Sequence, residues 1–246
     1  MSPENSATDK KGKLYRWTLE SAEWYEDASR YTGYHDRLTE ILAPYLDLEM
    51  TCCELAAGTG TLARHLAPLV KSYTANDIDP SAIAWMQKML DESPQQNMKI
   101  VHGDWKEKLI GQKFSVSIFS FFSAVLDDWE FVKQITTDRV LIVMPRTAGM
   151  GRRAKFLQKD INKYEIYPAI LEYLEKNDVR FIAKEVDLEF GQPFHDMETA
   201  RKYVNYYYKF DEKEIDTFLE AKLQKTDFGW YFPKNKDLGI ICAYLR

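Results

Sequence analysis

Thr51-Cys52-Cys53-Glu54-Leu55-Ala56-Ala57-Gly58-Thr59-Gly60-Thr61-Leu62-Ala63 is the stretch on which the rest of the chain is organised. It reads as a buried strand, a tight glycine turn and the first turn of a helix. Glycine adopts positive φ without steric cost and lets backbone approach a ligand closely. The helix that follows presents free N–H groups and a positive dipole end to whatever sits above the turn. At the carboxyl edge of a parallel sheet, that is where ligands bind.

Two acidic signals lie downstream. Asn76-Asp77-Ile78-Asp79-Pro80 closes a second strand, and Gly103-Asp104-Trp105 closes a third. Asp79 is placed to cap a helix that has Pro80 at its first position. That helix runs to Ser93-Pro94, and its expected buried stripe is Ile83, Met86, Met89 and Leu90. The continuous apolar run 114–122 suits a central parallel strand buried on both faces. Further strands are expected at 50–55, 72–77, 98–101 and 140–144, with helices at 35–46, 61–70 and 129–135. In the helix at 35–46, Leu38, Ile41, Leu42, Tyr45 and Leu46 recur at helical spacing. Strands alternating with helices imply an α/β fold on a parallel sheet. The remainder differs: a helix at 167–177, a strand at 179–190, helices capped by Asp196 and Asp211, and a final apolar strand at 238–245.

The chain has 246 residues, 29% of them charged and 45% hydrophobic, enough for one large domain with a substantial core. A net charge of −5 argues against a nucleic-acid partner, although Arg146 with Arg152-Arg153 forms a local basic patch. The three cysteines, Cys52, Cys53 and Cys242, sit in apolar runs without metal spacing. They read as reduced structural thiols in a cytoplasmic protein, and no metal site is expected. No apolar run is long enough to span a membrane, and the N-terminus lacks a signal-peptide core.

The order Glu54-Leu55-Ala56-Ala57-Gly58-Thr59-Gly60-Thr61-Leu62, then Asn76-Asp77-Ile78-Asp79-Pro80, then His102-Gly103-Asp104-Trp105 resembles the class I S-adenosylmethionine-dependent methyltransferases. The resemblance covers roughly residues 24–144. It implies a doubly wound, mostly parallel, seven-stranded Rossmann-like sheet with an antiparallel last strand and extra C-terminal helices. It also implies S-adenosyl-L-methionine as cofactor and S-adenosyl-L-homocysteine as product. On this reading residues 1–13 are a disordered tail and 14–246 form one domain. Its helices at 14–48 lie over the cofactor site, 49–145 form the cofactor-binding half, and 146–246 carry acceptor-site helices.

The resemblance assigns roles residue by residue. Gly58 and Gly60 form the cofactor turn, and Glu54 neighbours the methionine moiety. Ala56 stands where the family often has glycine, which is tolerable if its φ is negative. Asp77, 19 residues after Gly58, accepts both ribose hydroxyls, and Ile78 lies against the adenine. Asp104 accepts from the adenine amino group while the Trp105 N–H faces the ring. Ser120 and Phe121 pass beneath the transferred methyl; Ser115 replaces an Asp frequent at that strand's start. Trp24-x-x-x-Ala28-x-x-Tyr31 resembles an N-terminal helix that closes over the cofactor, with Tyr31 reaching its carboxylate; the same spacing also suits plain core packing.

No acid–base pair is readable from spacing, so no catalytic residue is assigned. Methyl transfer needs a general base only if the acceptor must lose a proton, since orientation and water exclusion supply most of the rate. His35 and His195 are the histidines in segments bordering an acceptor pocket, and both read first as surface residues. After the fourth strand, Ser120-Phe121-Phe122-Ser123 replaces the Asn/Asp-Pro-Pro-aromatic box of amino-group methyltransferases acting on nucleic acids. A Pro-Cys nucleophile is also missing. Both absences point to a small-molecule acceptor, for which the Trp129 loop and Tyr203, Tyr206, Tyr207 and Tyr208 offer an aromatic lining. Three other readings remain open. Gly58-x-Gly60-x-x-Ala63 with Asp77 also fits an NAD(P)-binding oxidoreductase. The fold could serve a non-catalytic S-adenosylmethionine-binding protein. The acceptor could also be a protein or tRNA.

Overall fold

A computed structural model describes residues 16–146 and 166–245. The expected disordered tail at 1–13 and the Arg152-Arg153 part of the basic patch lie outside the described residues.

The central sheet is built from strands that alternate core-facing residues on both faces. β1 (Thr51–Leu55) pairs in parallel with β2 (Ser72–Asp77) and with β4 (Phe114–Ser120). β2 pairs in parallel with β3 (Met98–His102), and β4 with β5 (Thr136–Pro145). The last strand, β10 (Asn235–Tyr244), inserts antiparallel between β5 and β6 (Phe181–Glu189). The resulting order is β3-β2-β1-β4-β5-β10-β6, a seven-stranded mixed sheet. Cys52 faces one core and Cys53 the other, as strand geometry dictates for neighbours. Both thiols are buried, and burial pushes the Cys53 thiol up to about 12.

Helices cover the two faces. α2 (Tyr34–Leu42), α3 (Thr61–Leu66) and α4 (Pro80–Glu92) place Leu38, Leu42, Leu66 and Met86 in the first core. α5 (Trp105–Lys108), α6 (Trp129–Ile135) and α7 (Ile166–Lys176) place Trp105, Val132 and Ile170 in the second. α2 and α3 are shorter than their apolar periodicity predicts. Each runs into a single 3₁₀ turn, Ala43–Tyr45 and Ala67–Leu69, at Pro44 and Pro68. Proline lacks the N–H that would continue the α ladder. In α4 the buried residues are Ala82, Trp85 and Met86, and Ile83 and Leu90 of the expected stripe pack, partly buried, against the first core.

A second, three-stranded sheet has no counterpart in the sequence reading. β7 (Gln192–Phe194), β8 (Gln224–Thr226) and β9 (Gly229–Phe232) pair antiparallel in the order β7-β9-β8. Strands of three or four residues carry too little alternation to be legible. This sheet joins α8 (Met197–Tyr208) and α9 (Glu212–Lys222) in a third core of Phe194, Tyr203, Tyr208, Phe218 and Phe232. Trp24, from α1 (Leu19–Thr32), completes that core. α1 therefore bridges the C-terminal unit and the main sheet. Among the described residues no helix is long and apolar enough to cross a membrane.

Candidate functional site

Parallel register brings the carboxyl ends of β1, β2 and β4 to one edge, with Leu55 opposite both Asn76 and Phe119. The loops leaving that edge are stitched together. Ala57 N donates to Asn76 O at 2.8 Å and Gly103 N to Asp77 O at 2.9 Å. The Asn76 side-chain amide donates to the carbonyls of Val101 and Gly103 at 2.9 and 3.0 Å.

Gly58 and Gly60 have φ of 57° and 69°. A Cβ on Gly60 would lie 2.5 Å from Met86 Cγ, so the absence of a side chain there seats α4 against the turn. A Cβ on Gly58 would lie 3.1 Å from the Trp17 ring. Trp17 thus rests on the turn, and its backbone N–H donates to Asp79 Oδ2 at 2.7 Å. Asp79 also caps α4 by accepting from Ser81 N at 3.0 Å, as its place before Pro80 predicted.

Ala56 overturns an expectation. Its φ is +57°, not negative. The turn demands a left-handed residue at this point, and alanine supplies it at a cost of about 1–2 kcal/mol. Phe121, at the corresponding place after β4, also has φ of 57° and is 39% exposed. Its N–H donates to Val143 O at 2.8 Å. Strained non-glycine residues thus follow both β1 and β4, the neighbouring strands where the sheet order reverses. Such strain gathers at functional sites, and such reversals are where α/β sheets bind ligands.

Asp77 is buried, and its carboxylate accepts from Gly58 N at 2.7 Å and Asp79 N at 2.8 Å. Burial raises its pKa, and these backbone hydrogen bonds hold the rise in check. Ile78 beside it is 46% exposed, an apolar side chain left open at the edge. Asp104 caps α5 by accepting from Lys106 N at 2.9 Å. The Trp105 ring is buried in the second core, edge-on to Phe119 and Phe131. Ser120 is partly buried at the end of β4.

Glu54 is fully buried. Tyr73 Oη donates to its Oε2 at 2.9 Å, the partner that a carboxyl so placed requires. Burial pushes its pKa up to about 8; the Tyr73 hydrogen bond opposes the rise and Asp77 adds to it.

Several assignments move. Trp24 and Tyr31 face the C-terminal unit. Trp24 packs on Tyr203, Tyr206 and Tyr207, and Tyr31 on Phe228 and Tyr231. The α1 side chain that reaches the turn helix is Glu26, which accepts from Thr61 Oγ1 at 2.6 Å and pairs with Arg64. His35 is a core histidine, 2% exposed, with Nδ1 2.6 Å from Ser29 Oγ and Nε2 3.3 Å from Tyr25 Oη. Burial, then the charge of Lys236, holds its pKa well below the usual range. His195 is exposed, with its ring 4.1 Å from that of Phe228. Trp129 is buried against Tyr173, and Tyr203 and Tyr208 are buried in the third core.

Sequence reasoning missed Trp17, Glu26 and Arg64. A usable signal existed for Glu26. It interrupts the buried small-residue face of Ala22 and Ser29, where a charge needs a partner. Among the described residues no cluster of His, Cys, Asp and Glu is placed to hold a metal ion.

No protein-family model and no curated protein matches the chain. Solved structures match its architecture. A methyltransferase from Thiobacillus denitrificans, in complex with S-adenosyl-L-homocysteine, aligns at TM-score 0.54 and 14% identity, covering 87% of this chain and 91% of its own. The YcgJ protein of Bacillus subtilis aligns at TM-score 0.55 and 12% identity, covering 86% and 99%. A precorrin-6y C5,15-methyltransferase from Geobacter metallireducens aligns at 0.51 and 9%, covering 84% and 87%. The fold is the Rossmann-like fold of the class I methyltransferases.

Proposed function

We propose that this chain is an S-adenosylmethionine-dependent methyltransferase acting on a small-molecule acceptor. The observation that carries the reading is the closure of Asp77 on the Gly58 amide at 2.7 Å, with exposed Ile78 alongside. An acid here fits a ribose. A carboxylate has about four lone-pair sites, and the backbone N–H groups of Gly58, Asp79 and Ile78 leave acceptor capacity for a ribose hydroxyl.

Gly58, Gly60 and Ala56 would form the floor of the cofactor site, with Trp17 as one wall. Asp77 would hold the ribose, Ile78 the adenine face, and Asp104 with the Trp105 N–H the adenine edge. Glu54 would neighbour the amino-acid end, and Ser120 with Phe121 would lie beneath the reacting centre. When bound, the cofactor supplies a sulfonium methyl group activated for in-line displacement. The protein's part is then orientation and exclusion of water. The net charge of −5 and the Ser120-Phe121-Phe122-Ser123 segment support a small acceptor over nucleic acid.

Thermal unfolding with S-adenosylmethionine, S-adenosylhomocysteine and NAD in parallel tests the cofactor. A ligand at about 100 times its Kd adds roughly 2.7 kcal/mol. Shifts with both sulfur ligands that vanish in Asp77→Ala support the reading. A shift with NAD alone replaces it with a dinucleotide enzyme.

A further inference from the structure

Glu54 stands near the carboxyl end of β1, just before the glycine turn, and is 2% exposed. Its register partners are Ala75 on β2 and Ile118 on β4. Side chains two apart along a strand share a face, so Tyr73 and Asp77 flank it on β2. Tyr73 Oη donates to Glu54 Oε2 at 2.9 Å, while the Asp77 carboxylate is turned to the Gly58 and Asp79 amides. Cys53, the residue before it, faces the other core. α3 and α4 close this face with Leu62 and Met86, and Arg64 of α3 is held by Glu26 of α1. From α2, Tyr34 is kept protonated by burial and His35 is held neutral. Among the described residues, Glu54 has no ion-pair partner.

A carboxylate buried with one hydroxyl donor and a second carboxylate nearby loses its hydration without gaining a counter-charge. The neutral acid is then favoured, which is why the pKa of Glu54 is pushed up to about 8. A cation brought to this edge reverses the balance, because an opposite charge favours the ionised form and a low dielectric strengthens its pull. S-adenosylmethionine and S-adenosylhomocysteine share an amino-acid end and differ by one positive charge, the sulfonium. Asp77 is already committed to two amides, which leaves Glu54 as the carboxyl able to answer that charge.

We propose that Glu54 lets this chain tell the cofactor from its spent form, releasing its proton when S-adenosylmethionine binds and keeping it when S-adenosylhomocysteine binds. This rests on the methyltransferase reading and gives that site a proton-linked preference. The sign follows from linkage. Binding that sheds a proton strengthens as pH rises, and levels off once Glu54 is ionised without ligand, above about 8. Affinity for S-adenosylhomocysteine lacks this dependence. The preference for cofactor over product should therefore grow by up to about tenfold per pH unit between about pH 6 and about pH 8.

The test is isothermal titration calorimetry of the full chain with each ligand near neutral pH, in phosphate and in Tris. These buffers differ in ionisation heat, so the difference in observed heat counts the protons released. Wild type is expected to release about one proton more with S-adenosylmethionine than with S-adenosylhomocysteine. Glu54→Gln is expected to release equal numbers with both, which also subtracts protons from the ligands' own amino groups. Tyr73→Phe keeps the ring but removes a donor that favours the ionised form, and it should retain the difference. Equal release in wild type, or a difference that survives in Glu54→Gln, overturns the proposal. Should Glu54→Gln fail to fold, the wild-type pH series decides, and a ratio of the two Kd values that stays flat up to about pH 8 overturns it. Binding of neither ligand overturns the cofactor reading, and this proposal with it.

Discussion

The Asp77 carboxylate and the Gly58 amide meet at 2.7 Å, so an acid at the end of β2 fixes the turn that follows β1. Its other oxygen accepts from Asp79 N at 2.8 Å. Asp77→Ala leaves both N–H groups without these acceptors and should cost about 1–3 kcal/mol even without ligand. Urea unfolding of the free protein measures this, and ligand-induced shifts of the variant are to be read from its own lower baseline. A variant as stable as wild type would mean that water replaces the carboxylate at no cost.

Glu54 gives the fold a pH signature. Its folded pKa of about 8 lies above the ordinary 4.5. A raised carboxyl pKa contributes stability that is full below the unfolded value and is lost as pH rises through the folded one. Across that window wild type should lose about 1.4 kcal/mol per pH unit relative to Glu54→Gln. Denaturant titrations at several pH values, taken as the difference between the two proteins, check it. A flat difference would show that Glu54 stays ionised.

Ala56 in the left-handed region invites relief. Ala56→Gly should stabilise the chain by about 1 kcal/mol, because glycine meets no Cβ penalty there. For a chain of this length that is a melting shift on the order of 2–4 °C upward. A downward shift would place the strain elsewhere.

Glu26 accepts from Thr61 and pairs with Arg64, tying α1 to the helix behind the glycine turn. Glu26→Gln leaves Arg64 without its counter-charge in a largely buried place and should cost about 3 kcal/mol. Amide exchange across residues 58–64 should accelerate with it. A loss under about 1 kcal/mol would mark the pair as no stronger than a surface one.

The main sheet was legible because its strands are long and apolar enough to show their period, and because Asp79-Pro80 marks a helix start that the structure keeps. The glycine turn was legible from residue types alone, but the sign of φ at Ala56 was not, since it depends on how the turn closes over Asn76. The faces of α1 were misread for a related reason. Trp24 and Tyr31 share a stripe, and periodicity does not say what each side chain meets. Trp24 enters the third core, drawn from segments far apart in sequence, while Tyr31 stays 46% exposed beside Phe228 and Tyr231. The rings around Lys236 gave no signal, because Tyr25, Tyr34, Phe121 and Phe190 come from α1, α2, the end of β4 and the end of β6.

β10 follows every other strand of the main sheet in the sequence, yet it lies inside that sheet, between β5 and β6. During synthesis the earlier strands leave the ribosome with a gap where it will go. A chain stopped before residue 235 has the glycine turn but lacks the strand that joins β5 to β6. Competence to hold a ligand at this edge should therefore appear only once β10 has emerged. Nascent chains should expose the flanks of β5 and β6 to chaperones until then.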